Sequence, residues 1–103
     1  MFEVIPMTDY APFDAAEHLK TDQDVAAYLK AVLAEVEATD DVSYFSHALG
    51  VVARTRNMSQ LARDAQMSRE GLYKALSSDG NPSFASILKI TRLFGLRLGF
   101  EPA

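Results

Sequence analysis

The chain has 103 residues, 49% apolar and 23% charged, with no cysteine and a formal net charge of −4. That mix fits one soluble globular domain. It excludes disulfides and thiolate metal sites, and no run approaches the roughly 20 apolar residues of a membrane span.

Charge is unevenly placed. Residues 1–41 hold ten acids and two bases, net −8, whereas residues 42–103 hold four acids and eight bases, net +4. Such asymmetry suggests two surfaces that meet partners of opposite sign; the plainer alternative is two ordinary solvated faces. The first residues, "MFEVIPMTDYAPFD", are acidic and have no basic n-region before an apolar stretch. They do not read as a signal peptide, and the expected location is cytoplasmic.

In chain order, residues 1–13 read as an extended arm broken by Pro6 and Pro12. "FDAAEHL" has room for one or two helical turns, with Asp14 as cap. "TDQDVAAYLKAVLAEVEAT" is a stronger helix, opened by Thr21 and Asp24 in a capping-box spacing. Its apolar stripe is Val25, Tyr28, Leu29, Val32, Leu33 and Val36. Asp40 or Asp41 is expected to cap a helix over roughly 42–56, with Phe45, Ala48, Leu49 and Val52 inward and Arg54 and Arg56 in its last turn. Asn57 is expected to leave that helix in the left-handed conformation. Ser59 then caps a short helix to about Ala65, and Ser68 caps another over 69–77. "SSDGNPS" is dense turn chemistry. Ser83 caps a last helix, 84–94, with Phe84, Ile87, Leu88, Thr91 and Phe94 facing the core, and Gly95 stops it. "LRLGF" alternates with period two and predicts a short strand, whose partner would be a second copy of the chain or the N-terminal arm. The expectation is an all-α fold of five to six helices plus a short C-terminal strand.

The segment "LARDAQMSREGLYKAL" carries the functional signal. Leu61 and Ala65 share one face, with the small Ala62 beside them; Leu72, Ala75 and Leu76 share another. Gln66 occupies the tight turn between and needs positive φ, where glycine costs less. Met67 points to the core. Two short helices joined this way form a helix-turn-helix. With Leu72, Ala75 and Leu76 inward, Glu70, Tyr73, Lys74 and Ser77 face outward and Arg69 flanks them. In this motif the start of the second helix enters the major groove. Arg69, Glu70, Tyr73 and Lys74 are therefore the candidate base contacts. Ser59, Gln60, Ser68, Ser77 and Asn81 are the candidate phosphate contacts, with Gly80 beside Asn81. The plainer reading makes Glu70 and Lys74 a solvated i, i+4 pair and Tyr73 a rim residue of the core. Arg54, Arg56 and Arg63 read as solvated.

"LARDAQMSREGLYKAL" followed by "GNPSFASILKITRLFGLRL" resembles the helix-turn-helix of the Cro and lambda-repressor-like superfamily. The shared features are Leu61-Ala62, the turn at Gln66, Met67-Ser68, Leu72, and Pro82-Ser83 leading a helix that ends at Leu93-Phe94-Gly95. Gln66 departs from the usual glycine. Within that superfamily, "MSQLARDAQMSREGLYKALSSDGNPSF", the ending "LRLGFEPA" and the upstream "FDAAEHLKTDQDVAAYLKAVLAE" resemble the probable addiction-module antidote proteins over roughly residues 10–103. The resemblance implies an antitoxin of a type II toxin–antitoxin pair. Such a protein neutralises a small RelE/ParE-like toxin and represses its own operon as a homodimer on palindromic double-stranded DNA. The implied division is an acidic arm and helix for the toxin (1–40), a DNA-binding domain (41–95), and a C-terminal strand or tail for dimerisation (96–103).

No nucleophile elbow, HExxH, P-loop or GxGxxG is present, and His18 and His47 stand alone without metal-ligand spacing. The expectation is a non-enzyme without metal or cofactor. The rival readings are a solitary helix-turn-helix regulator and a protein-interaction module that binds no DNA. The net negative charge keeps the latter open, because non-specific DNA affinity rests on cations.

Overall fold

The computed structural model describes residues 19–77 and 79–103. The expected N-terminal arm, the cap at Asp14 and His18 lie outside the described residues. Five helices follow in order: α1 (Asp22–Thr39), α2 (Ser43–Arg54), α3 (Met58–Asp64), α4 (Arg69–Ala75) and α5 (Phe84–Leu93). Helix α1 packs along α2, α2 on α3, and α3 on both α4 and α5.

The capping box at the start of α1 forms as its spacing requires. Thr21 Oγ1 accepts from Asp24 N at 3.0 Å, and Asp24 Oδ2 accepts from Thr21 N at 3.1 Å. Of the apolar stripe, Val25 and Leu29 are buried, and Tyr28 and Val32 pack against the core from its edge. Burial pushes the Tyr28 phenol above its ordinary pKa of 10.0. Leu33, expected inward, is exposed: it lines an open depression between α1 and the C-terminal tail rather than the core against α2.

The expected capping of α2 by Asp40 or Asp41 is overturned: the cap position is Val42, which is already in the right-handed helical region and makes no side-chain cap bond. Asp40 ends α1 in the left-handed region, φ 61°, and its N–H donates to Val36 O. Asp41 lies one residue before Val42 and makes a local turn, its Oδ1 accepting from Ser43 N at 3.1 Å and from Ser43 Oγ at 2.6 Å. Helix α2 is the centre of the molecule: Ala48, Leu49, Val51, Val52 and Ala53 are all buried. Gly50 gives it a bare face. A Cβ there would stand 2.5 Å from Leu76 O, so only glycine lets α2 lie directly against the end of α4.

Two expectations at the start of α3 are overturned. Asn57 is extended (φ −76°, ψ 106°) rather than left-handed, and it, not Ser59, is the cap. Its Oδ1 accepts from Gln60 N at 3.0 Å. The chain needs no left-handed residue here because α2 ends earlier, through Thr55 in the right-handed helical region. Arg56, read as solvated, instead lies with its guanidinium carbon 5.2 Å from the centre of the buried Phe94 ring.

Helix α3 closes on Gln66 at φ 59°. Gln66 N donates to Arg63 O at 3.0 Å and Met67 N to Ala62 O at 2.9 Å, the paired bonds of a Schellman cap. The same pair closes α5, where Gly95 (φ 84°) N donates to Arg92 O and Leu96 N to Thr91 O. Ser83 caps α5 as expected, accepting from Ser86 N at 3.1 Å. The inward set of α5 shifts: Ile90, Thr91 and Phe94 are buried, but Phe84 is 66% exposed. It occupies the first residue of the helix, beyond the reach of the core formed by α2 and α3.

The expected C-terminal strand is absent: the described residues contain no strand, and those after α5 run without regular structure. A strand needs a neighbouring edge for its backbone groups. Here the tail borders a helix instead, α1, to which Lys30 and Glu101 tie it by an exposed 3.4 Å ion pair. Leu96 reaches the core, while Leu98 and Phe100 remain exposed.

Candidate nucleic-acid interface

The order of α4 follows from three residues. Gln66 reverses the chain, Met67 packs against the core, and Ser68 (φ −71°, ψ 155°) caps α4 by accepting from Gly71 N at 2.9 Å. Leu72 and Leu76 are then buried and Ala75 half-buried. This orientation leaves Arg69, Glu70, Tyr73 and Lys74 exposed together on the opposite face. The Arg69 guanidinium carbon lies 5.6 Å from the Tyr73 ring centre. Among the described residues the ion pair that forms joins Lys30 to Glu101, not Glu70 to Lys74.

Beside this face is an open depression lined by Gly71, Lys74, Ala75, Ser77, Asp79, Gly80 and Asn81. It unites Lys74, Ser77 and Asn81 from α4 and the turn before α5. Ser77 is half-buried and its hydroxyl donates to Lys74 O at 2.9 Å. Asn81 is exposed.

The candidates on α3 are placed differently. Ser59 is half-buried in the first turn of α3. Gln60 is spent along its own helix: its amide nitrogen donates to Asp64 Oδ1 at 2.9 Å, and its oxygen accepts from Arg63 at 2.7 Å. Nothing bonds either residue to the α4 set. Gln60, Arg63 and Asp64 stand at i, i+3 and i+4, a spacing that foretells such a network. Arg63 is exposed and is the cation of that helix.

The described residues hold no group of three or more His, Asp or Glu side chains placed to bind a metal ion, and no helix long and apolar enough to cross a membrane. His47 is exposed.

No solved structure matches the chain. A protein of Haemophilus influenzae (strain ATCC 51907 / DSM 11121 / KW20 / Rd), described as an uncharacterized protein, is 49% identical over 85 residues, covering 82% of this chain and 84% of that protein. The family described as "Probable addiction module antidote protein" matches residues 9–102, nearly the whole length. The chain therefore belongs to the probable addiction module antidote protein family, a description that implies a cognate toxin as partner.

Proposed function

We propose that the protein is an antitoxin that neutralises a RelE/ParE-like toxin and represses its own operon through a lambda-repressor-like helix-turn-helix, α3–turn–α4. One observation carries the DNA reading. The turn at Gln66–Ser68 buries Leu72 and Leu76 and so turns Arg69, Glu70, Tyr73 and Lys74 outward as one set. Arginine and lysine can bond guanine, and glutamate can accept from cytosine. Ser68, Ser77 and Asn81 adjoin the set as phosphate contacts, Ser59 serves as one from the start of α3, and Lys74 reaches either class. Gln60 serves by fixing Arg63, since its own amide is occupied.

The acidic residues of α1 support the other half of the proposal. Glu35 and Glu37 are exposed, and they complement a basic toxin. The tail 96–103, with Leu98 and Phe100 exposed, is the surface that a second copy covers in a homodimer. The dimer would present two α4 helices to half-sites about one turn of DNA apart.

A mobility shift with duplex DNA from the region upstream of the gene tests the repressor. Binding should exceed that to a scrambled duplex and weaken steeply with salt. Equal affinity for both duplexes, or none for either, would leave an antidote that acts by protein contact alone.

A further inference from the structure

We propose that Tyr73 is a positioning residue for Arg69: its ring face holds the guanidinium on the outward side of α4 before DNA arrives. The inference rests on the reading of α4 as the DNA-reading helix and assigns Tyr73 a role within it.

Arg69 is the first residue of α4 and Tyr73 lies one turn on, so the two share a face. Helical side chains lean toward the N-terminus, which brings the Tyr73 ring back under Arg69. The 5.6 Å separation is within the roughly 6 Å reach of a cation–π contact. Helix stability does not explain a cation here, because the positive end of the helix dipole disfavours it. Glu70 does not restrain it either, since adjacent helical residues point apart. A carboxylate partner would consume guanidinium N–H groups. A ring contact uses the face of the cation and leaves its in-plane donors open for a bidentate bond to guanine. Tyr73 is 39% exposed, and the contact it makes with Arg69 is through its ring. Its contribution is therefore through the ring, with the hydroxyl dispensable.

The test compares Tyr73→Phe, Tyr73→Leu and Tyr73→Ala in the full chain, titrated with the upstream duplex. Tyr73→Phe, which keeps the ring, should bind more tightly than either Tyr73→Leu or Tyr73→Ala. Tyr73→Leu and Tyr73→Ala should each lose affinity about two- to fivefold, the worth of an exposed cation–π contact, and the loss should vanish in an Arg69→Ala background. Parent-like binding by Tyr73→Leu would reduce the ring to simple packing. Loss in Tyr73→Phe equal to that in Tyr73→Ala would make the hydroxyl a direct base contact. Either result overturns the proposal. A second readout needs no DNA: ¹⁵N relaxation at Arg69 Nε in the free protein. Order there should fall in Tyr73→Leu and Tyr73→Ala and hold in Tyr73→Phe; unchanged order in all three overturns the positioning role. Failure of the parent to bind DNA, with Arg69 ordering intact, would count against the repressor and not against this contact.

Discussion

Helices α1 and α4 both show more surface than they bury, and they do so with opposite chemistry. Helix α1 runs 18 residues and buries only Val25 and Leu29, with Glu35 and Glu37 exposed. Helix α4 runs seven residues and buries Leu72, with Arg69, Tyr73 and Lys74 exposed beside Glu70. The difference lies in what holds each in place. An 18-residue helix with a complete capping box has strong local support. A seven-residue helix is too short to persist alone, so its direction is imposed from outside. The Gln66 turn sets it from one end and the bare face of Gly50 from the other. The outer face of α1 should therefore tolerate change that the supports of α4 do not.

The sharpest way to break the comparison is to exchange charge on the two faces. Arg69→Ala and Lys74→Ala should each lower affinity for the upstream duplex by about 1–3 kcal/mol if they bond bases. The pair Glu35→Lys with Glu37→Lys should leave that affinity undiminished and weaken neutralisation of the cognate toxin. Fluorescence anisotropy and a toxin-rescue growth assay read the two outcomes. If the α1 pair abolished DNA binding, or the α4 changes abolished rescue alone, the two faces would have to be reassigned.

A second test concerns the support of α4. Alanine is the better helix former by about 1 kcal/mol, yet Gly50→Ala drives a Cβ to 2.5 Å from a backbone carbonyl that no rotamer can move. The expected net result is a loss of about 1–3 kcal/mol in urea unfolding. A gain would show that α2 and the end of α4 can separate without cost.

Gln66→Gly should act in the opposite direction. A non-glycine residue at φ 59° costs about 1–2 kcal/mol, and the added flexibility of glycine in the unfolded chain returns part of that. The expectation is about 0.5–1 kcal/mol of stabilisation, seen as a higher melting temperature with unchanged DNA affinity.

The smallest effect belongs to α1. The raised pKa of Tyr28 means that its neutral phenol stabilises the fold fully below pH 10.0, and this contribution is lost as pH rises through the folded value. Between about pH 8 and about pH 11, the parent should lose more stability than Tyr28→Phe, measured by urea unfolding at each pH.

Much of this was legible in the linear chain because it depends on local bonds. The capping box at Thr21 and Asp24, the caps at Ser68 and Ser83, the stop at Gly95 and the positive φ of Gln66 all follow from neighbours within a few residues. The outward set on α4 follows from the helical period once Leu72 and Leu76 are placed inward. Asn57 was misread because a cap and a left-handed stop use the same residue type, and only the end of α2 chooses between them. Phe84 was misread because periodicity gives a direction but not how far the core extends. The strand at 96–100 was misread because alternation describes a surface and supplies no partner.

The amino-acid order alone thus determined where α1, α4 and α5 begin, how the chain reverses at Gln66–Ser68, and which side chains of α4 turn away from the core, since each is settled by short-range hydrogen bonds and helical geometry. Only the tertiary structure decided that Gly50 seats the end of α4, that Arg56 covers Phe94 and that the tail lies along α1. Those contacts join residues far apart in the chain, and no local spacing encodes which distant surfaces will be close enough to touch.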